Sequence, residues 1–544
     1  MKSSRRITDL VAGKNHWLPL AALLVLPPHA PAATRSTPSQ FIAEWGRFEL
    51  VLKSTVSYPN PVQNATLSAT FVSPQGATNK VFGFWDGGRI WRVRFSPDTP
   101  GRWTYTTACS DQSDTGLKNQ SGSFVCTAAL NKTALDRYGP VRVARDQRHF
   151  EHADGRPFLW LGDSAGEGAR RSNLNDWQLY ADIRAQQRFT AAHWIVAPGP
   201  DARGETAFTK ANGLAINVGF FQRLDEKVDV LNRAGLLSAI VPLQEFCPGS
   251  IALPEAQAEL FVRYVVARWC ENHVAWLLAF EGDRLGKNAN RWKRIGRAVF
   301  GNRTRAPVVL LPGETHWLYD EFRAEPWVNV FAFPTTTASD DGLQWMFVGP
   351  LSVEWRKAPY RPILNLSQPA ETSPDGDDAR RLLWWNLLMT PTAGASYAAA
   401  PVMNWITNGT TDPNVRPPDL PQWREALFLP GAKSAAPLAE FFKTIDFWRL
   451  RPAPQVVASQ PGISSPRRHL AAAKTDARDL AVVYVPEDRT VQVAVPEMPP
   501  SPTIAWINPR TGQRSTAVGL VGGNACQFPT PEPGDWLLVL KTRN

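Results

Sequence analysis

Eight short apolar runs occupy residues 158–397, each closing on a polar or turn residue and each followed by sequence with helical spacing. They are 158–162, 191–196, 236–243, 275–280, 308–311, 328–333, 362–366 and 394–397. Continuous apolar runs suit parallel strands buried on both faces, and eight alternations with helix predict a (β/α)8 TIM barrel. Apolar spacing near 3.6 marks helices at 175–187, 220–234, 254–270 and 377–388, with Gly235 as a C-terminal stop for the second.

On either side the period changes to two. In 90–96, Trp91, Val93 and Phe95 alternate with Arg92 and Arg94, and the pattern returns at 103–107 after the turn Pro100-Gly101. The runs 480–485, 490–495, 503–507 and 536–540 do the same near the other end. The predicted architecture is therefore multidomain. A leader spans 1–33, a β-sandwich 40–132, the barrel 138–446 and a second β-sandwich 453–544, with a Pro-rich joint at 452–454. A chain of 544 residues is long enough for several cores.

The leader changes the reading of the charge. Lys2, Arg5, Arg6 and Lys14 precede the apolar segment 18–26 and the small residues Ala30, Pro31, Ala32 and Ala33, a signal-peptide pattern. Without its four bases and Asp9, the net charge of +10 becomes +7. The apolar segment is too short to span a bilayer, so no membrane insertion is expected and the mature protein should be secreted or periplasmic. Export permits disulfides, and among five cysteines Cys109 with Cys126, or Cys247 with Cys270, are the pairs to consider. Neither has zinc spacing. The 22 tryptophans favour a carbohydrate partner over nucleic acid, because indole faces stack on sugar rings. Dispersed positive charge is the plainer reading of the excess, with attraction to acidic polysaccharide as the alternative.

Candidate chemistry gathers where barrel strands end. Strand four runs into Glu281 and Asp283, and strand seven into Gln368 and Glu371. Two carboxyl groups facing each other across such a mouth can cleave a glycosidic bond. Glu281 follows its strand directly and is preferred to Asp283 as the proton donor, a salt bridge to Arg284 being the alternative. Asp163 after strand one can bind sugar hydroxyls or cap the following segment. His193 and Trp194 on strand two, and His316 and Trp317 after strand five, can bond and stack on a ring or pack in the core. Tyr397 on strand eight can line the sugar site or pack in the barrel. His149 and His152 read as ordinary surface histidines, and Asp375, Asp377 and Asp378 as an acidic helix start rather than a calcium loop. No metal and no organic cofactor is implied.

The segment DGRPFLWLGDSA at 154–165 resembles the opening strand of the apiosidase-like catalytic domain, the barrel of glycoside hydrolase family 140. The resemblance continues through 221–243, the acidic end of strand four in AFEGDR, PILNLSQPAE on strand seven, and 394–405. Upstream, NPVQNATLSATF, FGFWDGG, WRVRF and GRWTY resemble the Ig-like domain that often precedes such barrels. AWINPRTG and the final DWLLVL resemble the collagen-binding-type β-domain that often follows. The resemblance implies a secreted glycosidase of plant cell-wall glycans, with its acid/base at the end of strand four and its nucleophile at the end of strand seven. The family reads Glu-Pro-x-Tyr-Glu there; this chain reads Gln368-Pro369-Ala370-Glu371.

An amide is neither nucleophile nor base at neutral pH. Three readings follow. A retaining glycoside hydrolase would pair Glu281 with Glu371, or with Glu314 or Glu245 from other strand ends. A carbohydrate-binding pseudoenzyme would have lost its nucleophile at Gln368. An adhesive protein would place its function in the β-domains. In the first two the partner is a polysaccharide or oligosaccharide.

Overall fold

The computed structural model describes residues 40–543, apart from 210–212, 245–252, 280–284, 302–304, 312–318, 336–338, 372–375 and 409–419. Its centre is an eight-stranded, all-parallel sheet curled into a barrel. The order is Ile363–Ser367, Val330–Pro334, Val308–Leu310, Val274–Leu278, Leu237–Leu243, Ala191–Ala197, Trp160–Gly166 and Gly394–Ala398. Each lies on one of the eight predicted runs, and the strands are numbered one to eight below in chain order, starting from Trp160–Gly166. Strands seven and eight end this order and meet across the closing seam.

Two layers of apolar side chains explain why the strands read as unbroken apolar runs. Trp160, Ala191, Leu237, Ala239, Ala275, Leu277, Val309, Val330, Ala332, Leu364 and Leu366 fill the interior. Residues of opposite parity, including Leu161, Ala192, Trp194, Ile240, Trp276 and Phe331, pack outward against the helices. The short sheet Val141–Val143, Phe150–His152 and Pro157–Phe158 closes the N-terminal end, with Val141, Phe150 and Phe158 joining the interior cluster. His149 and His152, read from the sequence as surface histidines, are instead buried at this cover, because each Nδ1 finds a local partner: His149 Nδ1 lies 2.9 Å from Asp146, and His152 Nδ1 2.9 Å from the Gly139 carbonyl.

The N-terminal domain is a sandwich of a five-stranded sheet on a three-stranded one. Trp91, Val93 and Phe95 of Ile90–Phe95 pack inward on Phe71, Trp103 and Phe124. Arg92 and Arg94 face the other way, and Arg94 is buried because that face docks on the barrel. There Arg94 and Arg268 share Asp225, at 3.0 and 2.8 Å, while Arg268 also reaches Asp86 at 3.0 Å.

The Cys109–Cys126 bridge considered above is absent, and both are buried free thiols. The antiparallel register pairs Gly101 with Cys126 and Trp103 with Phe124, so Cys109 sits at the opposite end of the hairpin. At about 3.3 Å per residue the separation along the strands far exceeds the ~7 Å reach of a disulfide. Cys270 is also free, and Cys247 lies outside the described residues.

The C-terminal domain pairs a six-stranded sheet with a three-stranded one. Its strand Leu480–Val485 is buried at every position. Ala481, Val483 and Val485 face the domain's own small sheet, and Leu480, Val482 and Tyr484 face the barrel. The barrel side is the helix Asp377–Met389, whose Asp377 and Asp378 supply the predicted acidic first turn. Asp375 lies outside the described residues. Arg380 of this helix reaches Asp535 at 2.8 Å with both side chains buried, and Trp385 Nε1 donates to the His469 carbonyl at 3.0 Å. Among the described residues no helix is long and apolar enough to cross a membrane.

Candidate active site at the barrel mouth

Strand parity decides which predicted residues reach the barrel axis. On strand one, Trp160, Gly162 and Ser164 point inward. A Cβ on Gly162 would come within 2.4 Å of His193 Nε2 and 2.9 Å of Ser396 Oγ, which places all three on one inner floor. Trp160 Nε1 donates to His193 Nε2 at 2.9 Å, so the imidazole carries its proton on Nδ1. Burial lowers the His193 pKa to about 3, keeping the ring neutral. His193 Nδ1 and Ser396 Oγ are buried with no hydrogen-bond partner among the described residues. Half-buried Ser164 and Ile195 stand one step nearer the mouth.

Gln368, directly after strand seven, is buried and donates from Nε2 to the carbonyl of Ser396 on strand eight. The amide thus spans the seam of the barrel. The predicted strand-end residues Glu281, Asp283 and His316, with Glu245, Glu314 and Trp317, lie outside the described residues.

Other predicted residues sit behind the wall. Asp163, expected to bind hydroxyls or cap a helix, does neither. Its carboxylate is fully buried between strand one and helix Leu174–Gln186, receiving Arg184 Nε at 2.8 Å and Tyr180 OH at 2.7 Å. Trp194 takes the packing alternative rather than the sugar-stacking one: it faces outward, with Nε1 on Ser238 Oγ at 2.8 Å and an edge on Trp269. Tyr397, paired in register with Asp163, also faces out, toward Phe189 and Arg184. Its hydroxyl bonds Glu371, and burial followed by that carboxylate raises its pKa well above the ordinary range.

Glu371 therefore turns away from the axis. One carboxylate oxygen meets the Tyr397 hydroxyl, and the other accepts from the Gly431 N–H at 3.0 Å. Its backbone N–H donates to the Ala398 carbonyl at 2.8 Å, extending the seam one step beyond Gln368. A buried carboxylate so engaged fastens the strand-seven loop to strand eight, and Gly431 approaches so closely that a Cβ there would meet Glu371 at 2.5 Å. Ser396, the inward neighbour of Tyr397, is the residue that sequence reading missed.

An apolar barrel with a small polar floor of His193, Ser396 and Gln368 is suited to holding a ring-shaped polar ligand. The family model for the apiosidase-like catalytic domain matches residues 144–449. The chain belongs to the apiosidase-like family. Residues 42–110 match a domain of unknown function that has its own family model, and 452–541 match a "putative collagen-binding domain of a collagenase". Among solved structures, a "putative glycoside hydrolase" from Bacteroides vulgatus ATCC 8482 is 17% identical, with TM-score 0.68, covering 92% of this chain and 100% of its own. A glycoside hydrolase family 5 protein from the same organism is 16% identical, with TM-score 0.63, covering 74% and 94%. Another glycoside hydrolase is 16% identical, with TM-score 0.64, covering 74% and 97%. At these identities the likeness is one of fold. No curated protein matches the sequence. The apiosidase-like barrel of this chain is glycoside-hydrolase-like in family and architecture.

Proposed function

We propose that this apiosidase-like protein is an exported glycoside hydrolase of plant cell-wall or related polysaccharide, with Glu281 as the proton donor to the leaving oxygen. The observation that carries the reading is the match of an apiosidase-like family model across the barrel, with Glu281 directly after the apolar run 275–280 in the sequence. His193, Ser396 and Gln368 form the polar floor under the sugar. Neutral His193 contributes a hydrogen bond rather than a proton.

The second carboxylate is the point at which the family pattern is altered. Retention asks for a partner roughly 5 to 5.5 Å from the acid, and inversion for one roughly 6.5 to 9.5 Å away. Gln368 cannot serve, and Glu371 is engaged by Tyr397 and Gly431 behind the wall. Glu245 after strand three and Glu314 after strand five remain as the strand-end carboxylates to supply it.

Gln368 itself favours a second reading, a pseudoenzyme that binds glycan without cutting it. Incubation with pectic and hemicellulosic glycans, followed by analysis of released sugars, separates the two. A hydrolase releases sugar, loses that release in Glu281→Gln, and also loses it in Glu245→Gln or Glu314→Gln. Glycan binding with no release in the wild type sinks the hydrolase reading in favour of the pseudoenzyme.

A further inference from the structure

At the N-terminal face of the barrel, opposite the mouth, the turn 144–149 of the three-stranded cover meets the segment 355–362 that leads into strand seven. Arg148 makes the contact. Its guanidinium lies 3.9 Å from the centroid of the Tyr360 ring and 5.6 Å from that of Trp355, and its Nη1 donates to the Trp355 carbonyl at 2.9 Å. Its Nε and Nη2 have no partner among the described residues and keep accessible surface. Exposed Arg356 lies over the same indole, at 4.8 Å. Two cations therefore share one ring, each within the ~6 Å reach of a cation–π contact.

The acids nearby are matched to other bases. Asp146 takes His149 at 2.9 Å and Arg451 at 3.4 Å. Asp320 takes Arg323 and Lys357 at 2.7 and 3.3 Å, and buried Glu354 takes the same two. Among the described residues Arg148 and Arg356 are left without a carboxylate, as is exposed Arg145 on the same turn. Like charges gathered at one ring repel, and a bound anion would relieve that repulsion. The Nε and Nη2 of Arg148 are the two donors along one side of a planar group whose face is fixed by stacking, the fork that takes a carboxylate in two parallel bonds. Tyr360, 41% exposed, sets aromatic surface beside the fork, where the apolar face of a sugar ring can rest. We propose that this face is a docking surface for an acidic polysaccharide, a polyuronate whose carboxylates pair with Arg148 and Arg356 far from the mouth. The choice of a glycan as the bearer of the anion rests on the glycan-acting reading above.

Affinity electrophoresis of the full chain through gels cast with polygalacturonate or neutral galactan tests it, with duplex DNA as a competitor. The wild type should be retarded more by polygalacturonate than by galactan. Arg148→Lys keeps the charge but loses the fork and the stack, so it should weaken that retardation by about tenfold, as should Arg356→Gln. Arg102→Gln, which removes one exposed charge from the N-terminal sandwich, should be retarded like the wild type. Melting curves accompany each variant, and Arg356→Gln, at an exposed position, decides the matter if Arg148→Lys does not fold. Retardation no greater than in galactan, a folded Arg148 or Arg356 variant retarded like the wild type, or an equal loss in Arg102→Gln overturns the proposal. DNA that displaces the protein from polygalacturonate when supplied at lower anion concentration overturns it too, since the face would then be one for phosphates. Retardation that depends on both arginines in a protein that releases no sugar upholds the docking surface and sinks the hydrolase; sugar release without such retardation does the reverse.

Discussion

The side-chain amide of Gln368 donates a hydrogen bond to the main-chain carbonyl of Ser396 across the seam between strands seven and eight. A glutamine can make that bond; an ionised glutamate cannot, because it has no proton to give. Gln368→Glu would set a buried carboxylate against a carbonyl oxygen. The variant should lose about 1–3 kcal/mol of stability, seen as a lower Tm, without gaining hydrolysis. New sugar release by Gln368→Glu would mean instead that the barrel is a lapsed enzyme awaiting its nucleophile.

Glu371 and Tyr397 form the second fastening of the same seam. Glu371→Ala should leave the Tyr397 hydroxyl and the Gly431 N–H without an acceptor, costing on the order of 2–4 kcal/mol. Tyr397→Phe should cost less. A double-mutant cycle in denaturant should give a coupling of about 0.5–3 kcal/mol. Additive losses would dismiss the contact, and a catalytic defect in a fully stable Glu371→Ala would return this residue to the chemistry.

Glu281→Gln should lower turnover on unactivated glycosides by about 10²–10⁴-fold, while aryl glycosides with good leaving groups should suffer much less. Equal losses on both substrate types would argue against proton donation by Glu281.

Glu271 gives a pH signature unlike that of most carboxylates. Burial raises its pKa from the ordinary 4.5 to about 7, with Asp225 adding in the same direction and Arg94 and Arg47 opposing. The unfolded chain releases this proton near the ordinary value, whereas the folded chain keeps it until about pH 7. Between those values the folded state holds the extra proton, so this group's contribution to stability falls as pH rises. The difference in Tm between wild type and Glu271→Gln should move in favour of the variant from about pH 5 to about pH 7.5. A difference that is flat over that range, or that moves the other way, would show that Glu271 is ionised throughout.

All eight barrel strands were legible, because burial on both faces leaves unbroken apolar runs between helical stretches. The facing of individual side chains was not. Asp163, Trp194 and Tyr397 lie next to Gly162, His193 and Ser396, and a strand apolar on both faces offers no alternation to set the parity. One step of register therefore separates the inner floor from the outer network. Arg184, the partner of Asp163, comes from a helix 21 residues on, and no local spacing announces it. The double-sided burial of the C-terminal sheet was missed as well: the run 480–485, grouped with the period-two strands, is apolar at every position, the pattern of a strand covered on both faces.

That double burial bears on whether the C-terminal domain is a detachable module. The Pro-rich joint at 452–454 suggests a boundary, but the strand Leu450–Pro452 already pairs with Ala471–Thr475 in the domain's own sheet. Across the interface, Trp384 stacks on Tyr484, Trp385 bonds the His469 carbonyl, and Arg380 is neutralised by Asp535, whose other partners are Tyr484 at 2.9 Å and Arg510 at 2.7 Å. Ending the chain at Arg451 would expose both tryptophans and leave Arg380 without its main partner on a helix that packs against strand eight. Exposing two such indoles costs several kcal/mol at about 25 cal/mol per Å2, comparable with the ~5–15 kcal/mol that holds a domain folded. The truncated chain should therefore be insoluble or melt far below the full protein, and limited proteolysis of the full chain should not release a stable barrel. A soluble fragment ending near residue 451, with a cooperative transition and glycan binding intact, would show that the barrel core is complete without the sheet behind it.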